Sequence, residues 1–533
     1  MWIIIVSIAV VVVALFLRYY RKNDDYWKKR GIPFTPRDSI IIILWDAYYK
    51  RVNETLMDKY KKYGRIFGAF EFRTPFLMVA EPELVKDILV KDFQIFSNKR
   101  DFTTNDPTMD NMAFMLNGED WKRVRTIITP AFTSKKMRIM AHIINDCAKT
   151  LVQTLEKHAE NKEPVNCKKL FGTFTMDVIA CSAFATKIDC HNDPNNIFVK
   201  HARKIFEEFF ALRMLIILLF FPNWLRKNLG FKIVPSAEFF RNVTLQVIKE
   251  RRQKGHRHND FLQLLMDAAD EVTQEPEESE NAGFKSVEKN DDEIDQFGSV
   301  TSKGISTSQK YTKLSQDELI AQCVMFFFVG YETAASTLSY IAYSLALNPE
   351  CQEKLIQEID DAFQKHGQVD HDVVRDLKYL DYVVSETLRM YPILTLTDRT
   401  AAAEYKLGNT GITIEKSSRV IFPIYAMHHD PEFFPDPEKF NPERWIRDAS
   451  GKLSHPQYAY LPFGAGPRNC LGMRFALMEI KLCMANILRN FRFKKAKTTE
   501  EPLKFIPGNA FLSVKELPLM VEKRTELNTP AEN

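Results

Sequence analysis

Phe463-Gly464-Ala465-Gly466-Pro467-Arg468-Asn469-Cys470-Leu471-Gly472 is the stretch on which the reading of this chain turns. Two glycines and a proline ahead of the cysteine predict a tight loop, and a helical pattern begins at Met473. Backbone N–H groups and the positive end of the helix dipole then converge on the Cys470 sulfur, a setting that favours thiolate. A protease-type nucleophile, a zinc ligand and a buried structural cysteine are the rival readings. The first needs a histidine base, and no local signature for one appears; the second needs further ligands close by. A structural cysteine would not need the glycine loop.

Working outward, Glu386 and Arg389 stand at i, i+3 on a helix ending before Pro392, so they share a face. Read alone, such a pair is an ordinary surface ion pair. Phe440 to Trp445 follows an irregular, proline-rich segment and contains Arg444. Trp121 and Arg125 stand at i, i+4, after the cap-like Gly118-Glu119-Asp120. A long helix is predicted from Gln316 to about Ala346, stopped by Asn348 and Pro349. Its apolar middle, Phe326 to Val329, runs into Gly330-Tyr331-Glu332-Thr333. A buried Glu is costly unless it is paired or functional; the alternative is a Glu turned to the surface.

The remainder sets the frame. The 533 residues are 45% hydrophobic and 27% charged, with a net charge of +4. That composition excludes a disordered, collagen-like or polytopic membrane chain and gives no nucleic-acid footprint. The eight cysteines are scattered without a C-x-x-C pair, which predicts reduced thiols. Forty Phe point to large apolar cavities or membrane contact. Trp2 to Leu17 is apolar apart from Ser7, and basic residues from Arg18 to Arg30 follow it. Lacking a basic n-region and a small-residue cleavage site, it reads as an uncleaved anchor, with the body on the cytoplasmic side of the endoplasmic reticulum membrane. Residues 1–22 are thus anchor and flank, 23–36 linker, 37–520 a mostly helical domain with small β-sheets, and 521–533 a polar tail. Arg65 to Ala80 reads as strand, and Met137 to Leu265 as helical. Phe206 to Phe221 is either a core helix or else a lid or a second membrane contact. Glu271 to Asp295 holds ten acids and two lysines and opens a polar stretch, a surface loop over about 271–315.

Taken together, Phe463, Gly466, Arg468, Cys470 and Gly472 resemble the haem-ligand signature of the cytochrome P-450 family. The order of the other motifs agrees, and the likeness covers nearly the whole chain, anchor included. Trp121 and Arg125 resemble its Trp-x-x-x-Arg helix; Gly330, Glu332 and Thr333 resemble the oxygen-activating part of its central helix. Glu386, Arg389 and Arg444 resemble its Glu-x-x-Arg network. Within the family the chain looks most like microsomal xenobiotic oxidases, the vertebrate 3A type and insect types among them, on Phe261 to Leu265 and Gly330 to Thr333. Val329 stands where the family usually has Ala or Gly, and the hinge holds only Pro33 and Pro36.

The resemblance implies a cytochrome P-450 fold carrying haem b, with Cys470 as the axial thiolate that favours O–O cleavage. It implies that Trp121, Arg125, Arg399 and Arg468 meet the haem propionates, joined by Lys99 or Arg100, and that Thr333 and Glu332 handle dioxygen and its protons. Phe102, Phe114, Phe210, Phe328, Val329, Leu394, Thr395 and Phe511 are the implied substrate pocket. Implied partners are an NADPH-dependent flavoprotein reductase, cytochrome b5, the lipid bilayer and an apolar small molecule. Lys122, Arg123, Lys135, Lys136 and Arg138 are basic residues suited to an acidic partner, or else solvated surface. The expected activity is monooxygenation; the alternatives are a haem-thiolate isomerase or dehydratase of peroxides, and a non-enzymatic haem sensor.

Overall fold

The computed structural model describes residues 23–525 except 72–73, 102, 187, 189, 191–192, 194–195, 210–224, 226–227, 229–233, 256, 259, 271–312 and 509. Before residue 23 it describes Trp2, Val6, Ser7, Val11, Ala14, Arg18, Tyr20 and Arg21. Most of the expected anchor, Phe102, Phe210, the rest of Phe206 to Phe221 beyond Phe209, and nearly all of the 271–315 loop therefore lie outside the described residues.

Among the described residues the fold is mostly helical, with small sheets at its margins. The elements that position the site are the strands β1 (Ile66–Glu71), β2 (Thr74–Val79), β3 (Thr397–Thr400), β4 (Arg419–Phe422), β5 (Phe491–Lys495) and β6 (Pro518–Lys523). With them go the helices α1 (Gly118–Ile128), α2 (Ser134–Asn161), α3 (Cys167–Phe184), α4 (Ile197–Phe209), α5 (Gln316–Leu347), α6 (Lys378–Met390) and α7 (Met473–Asn490). The stretch expected as strand is a hairpin: β1 pairs antiparallel with β2, β2 parallel with β4, and β4 antiparallel with β3. β3 sets Arg399 opposite Val420 and faces it into the interior.

Helix α5 is the axis of the molecule. Its 32 residues span about 48 Å. Ser315 and Glu318 form a reciprocal cap at its start: Ser315 Oγ accepts from the Glu318 amide (3.2 Å), and the Ser315 amide donates to Glu318 Oε2 (2.8 Å). Its end is set by Pro349, which has no N–H to continue the ladder. The helix is apolar and long enough to cross a membrane, but it is buried by its neighbours. Glycine permits closest approach to α3: a Cβ on Gly330 would come within 2.8 Å of Ile179 Cδ1, and one on Gly172 within 3.0 Å of the Tyr331 hydroxyl. Gly330, expected beside the oxygen-activating residues, thus serves helix packing. Phenylalanines fill the core around α5, with Phe184 stacked on Phe327 at 4.4 Å.

Candidate active site

The loop before α7 has a fixed shape. Gly464 and Gly466 have φ of 71° and 70°, a region where side chains strain the backbone. At Gly466 a Cβ would stand 1.9 Å from the carbonyl oxygen of Leu89, so only glycine lets the loop lie on that segment. The Cys470 amide donates to Phe463 O (2.9 Å), closing the ten-residue stretch on itself. Gly472 has an ordinary φ, and a Cβ there would meet only the Phe132 ring at 4.0 Å; its amide donates to the Cys470 sulfur. Cys470 is the one exposed residue among the eight cysteines. Burial of the sulfur's surroundings raises its pKa; Arg125, the Gly472 amide and Lys99 pull the other way without overcoming it. The expected convergence of donors on the sulfur is present, but in the protein alone burial outweighs it.

Four cations gather beside this loop. Arg125 clamps Asn469 with both terminal nitrogens, to the backbone O at 3.0 Å and to Oδ1 at 2.9 Å. Arg468 donates to Ser97 O (2.6 Å), Leu116 O (2.8 Å) and Asn117 Oδ1 (3.2 Å). Its guanidinium lies 4.1 Å from the ring centroid of the buried Trp121, so Trp121 orients Arg468 from below. Arg399 gives one N–H to its neighbour's carbonyl, Asp398 O (2.7 Å). Burial lowers Arg399 to about 10. Burial, then Arg399 and Arg125, lower Arg468 to about 9. Lys99 falls to about 8, first from burial and then from Arg399. Lys99, not Arg100, joins the cluster: the Arg100 guanidinium pairs with Glu71 at 2.6 Å.

This cluster fits a dianionic group. Among the described residues Arg399 Nε and Arg468 Nη1 are buried without a hydrogen-bond partner, and Asp398 is the one acid that offsets Arg399. Buried cations with idle donors are costly, and two carboxylates would relieve both deficits. Haem, which takes one sulfur ligand and carries two propionates, would match that donor set.

Glu386 sits in a cluster of the opposite kind. Arg389 meets it bidentately at 2.9 and 2.9 Å, Trp445 Nε1 donates at 3.0 Å, the Asn441 amide at 3.1 Å and Arg444 Nε at 3.3 Å. Arg389 also donates to His428 O (2.9 Å) and Pro437 O (2.7 Å). Glu386 and Arg389 are fully buried, so the pair is not on the surface. His428 completes the link to the cysteine loop by accepting from the Leu461 amide at 2.8 Å. Asn469 and Trp445 lie within quoted motifs but carry no role there, and His428 carries no sequence signal, because their roles are made by contacts distant in the chain.

On α5, Val329 and Thr333 lie one turn apart, and the Thr333 hydroxyl donates to Val329 O at 2.8 Å. Glu332 turns elsewhere. Its Oε1 is ion-paired with Lys168 of α3 and accepts from Ser513 Oγ (2.8 Å) and Ser336 Oγ (3.3 Å). The apolar wall is aromatic: Phe328 stands 4.4 Å from Phe206 of α4 and 6.2 Å from Phe114, and Phe206 stands 5.6 Å from Phe511. Leu394 bridges to Phe511. Thr395 is fully buried, and its hydroxyl donates to Ala510 O (2.9 Å), so it fastens the wall from behind. Of the five basic residues suited to a partner, Arg123 is paired with Glu318 and Asp120, Lys122 with Glu119 and Arg138 with Asp372. Lys135 is exposed and Lys136 is half-buried.

Comparison with known proteins agrees with this geometry. A family model described as Cytochrome P450 matches residues 33–522. The chain is 37% identical over 505 residues to cytochrome P450 3A2 of Rattus norvegicus, covering 94% of this chain and 92% of that protein. It is 36% identical over 532 residues to cytochrome P450 3A11 of Mus musculus, covering 99% and 98%. It is 37% identical over 509 residues to cytochrome P450 3A28 of Bos taurus, covering 94% and 92%.

Proposed function

The chain belongs to the cytochrome P450 family, hence is a monooxygenase using haem b with a cysteine thiolate, and from that premise we propose that it inserts one oxygen atom of dioxygen into apolar small molecules. The substrates are xenobiotic or lipid-like, and the electrons come from NADPH through a membrane-bound flavoprotein reductase, with cytochrome b5 as a second donor. The observation that carries this reading is the aromatic wall of Phe114, Phe206, Phe328 and Phe511 beside the Val329–Thr333 turn. Such a wall binds by burial of apolar surface, at about 25 cal/mol per Å².

Haem supplies activated oxygen when bound, with electron density pushed onto it by the thiolate. The chain's own residues do the rest. Cys470 offers the sulfur from a loop that cannot widen. Arg125, Arg399, Arg468 and Lys99 would hold the propionates, with Trp121 setting the plane of Arg468. Thr333 holds a proton at Oγ1, where its present acceptor, Val329 O, is easily exchanged for a more basic oxygen. Glu386, Arg389 and Arg444 keep the cysteine loop in register and take no part in the chemistry. Residues 1–22 anchor the chain in the endoplasmic reticulum membrane, with the domain of residues 37–520 on the cytoplasmic side.

The test is reconstitution of the full chain with reductase in vesicles, a panel of apolar compounds and isotopically heavy dioxygen. One heavy atom should enter each product, and only with NADPH present. Conversion of hydroperoxides without reductase, and no NADPH-dependent product, would favour the isomerase reading.

A further inference from the structure

Glu332 is more tightly engaged than a free proton carrier needs to be. Its Oε1 meets three donors, two on other segments of the chain: Lys168 on α3 and Ser513 after the 510–512 loop. Glu332 and Ser513 are both buried, so the hydrogen bond between them is shielded from water. Tyr340, about two turns further along α5, donates its hydroxyl to Leu512 O at 2.7 Å. Two successive residues of the loop are therefore fastened to one helix. On the other side, the Thr395 amide and hydroxyl both donate to Ala510 O, at 3.0 and 2.9 Å, and the Leu512 amide donates to Ile393 O at 3.0 Å. Phe511 is the residue between these fastenings, and its ring faces Phe206.

We propose that the Ser513–Glu332 hydrogen bond, held by Lys168, is a specificity-determining tie that fixes Phe511 in the substrate pocket relative to the oxygen-handling turn of α5. Glu332 and Ser513 are positioning residues in this account, and neither touches substrate. The tie rests on the monooxygenase reading of the pocket only in what the pocket is for; the position of Phe511 can be measured without turnover. The arrangement has a physical logic. Thr333 is the next residue of the same helix, so any shift of α5 moves the proton-handling hydroxyl and the apolar wall together. Substrate placement and oxygen placement are thereby set by one rigid element.

The experiment compares Ser513→Ala, Ser513→Thr and Glu332→Gln in the haem-loaded full chain. Three readouts are taken: affinity for an apolar ligand from the haem absorbance change, product ratio on a substrate oxidised at two positions, and product formed per NADPH consumed. Hydrogen exchange of the Leu512 amide is followed in parallel. Ser513→Ala removes one donor to a charged acceptor, so affinity should fall about tenfold. The product ratio should change, Leu512 should exchange faster, and yield per NADPH should stay near that of the parent. Ser513→Thr should restore the ratio. Glu332→Gln keeps an acceptor for Ser513 and should keep the ratio. Parent-like affinity, ratio and exchange in Ser513→Ala would overturn the tie. So would a Glu332→Gln variant that loses yield per NADPH while Ser513→Ala is unchanged in every readout, which would make Glu332 a proton carrier. If the parent forms no product with reductase, the function reading fails, while affinity and exchange still decide the tie.

Discussion

Glu386 and Arg399 are both buried charged residues on the chain side of the cysteine loop, yet their surroundings differ in kind. Around Glu386 each carboxylate oxygen accepts from an arginine and at least one other donor, and the cluster is closed. Around Arg399 three cations face one another, and two guanidinium nitrogens have no acceptor among the described residues. A closed ion cluster holds a fold; an open one has its missing partners supplied from outside the chain. Burial alone does not separate the two, and neither does charge. What separates them is whether donors and acceptors balance.

The largest expected effect comes from breaking the closed cluster. Glu386→Ala leaves Arg389 buried without a counter-charge, a loss of about 3–5 kcal/mol against a total of roughly 5–15. Haem content per protein should drop to near zero, and full loading would put the cluster outside the folding core. Acid attacks the same region next. Burial holds His428 well below its ordinary pKa and lowers His429 to about 3 and His455 to about 4. All three stay neutral when folded, and each takes up a proton on unfolding below about pH 6.5. Stability is therefore complete above that pH and falls by about 1.4 kcal/mol per pH unit for each histidine as the pH drops towards the folded values. Thermal midpoints measured from pH 7.5 to 5 should show that fall, and His428→Gln should flatten it.

Opening the open cluster further should cost less, with two opposite signs. Arg468→Gln removes donors to the propionates, and haem should dissociate more readily by about 1.5–3 kcal/mol, read from haem transfer to an acceptor protein. The same change relieves cation crowding, so the haem-free fold should become more stable, a sign that no substitution in the Glu386 cluster should give. Thr333→Ala is the smallest in stability, since its hydroxyl donates only to a carbonyl of its own helix. It should keep haem and NADPH consumption and lose product yield. Tight coupling in that variant would remove Thr333 from proton handling.

Legibility in the sequence followed distance along the chain. The Cys470 loop, the α5 boundaries and the 3A-type resemblance were all readable, because each lies within one segment and carries its own spacing. Arg399 was placed by its interval after Arg389, and β3 does point it into the cation cluster. Glu332 reads with Thr333 through the family resemblance, whereas its hydrogen-bond partners Lys168 and Ser513 stand 164 and 181 residues away. Gly330 was assigned to the oxygen-handling turn on the same reasoning, while its lost side chain makes room for Ile179. The reason Gly466 must be glycine lies in Leu89, which no local pattern announces. The donors that favour thiolate at Cys470 are read from its own loop; Arg125 and Lys99, which act in the same sense, come from distant segments.

The cap at the start of α5 has one more consequence. The Leu314 amide donates to Ala268 O at 3.2 Å, immediately before Ser315 begins the helix. The described residues on either side of positions 271–312 are thus tied to each other, and the helix start is fixed by that tie together with the cap. Closing a connection twice as long would cost only about 0.6 kcal/mol more. An affinity tag or a fluorescent domain spliced into the polar sequence between Asp270 and Lys313 should therefore leave the register of the catalytic helix unchanged.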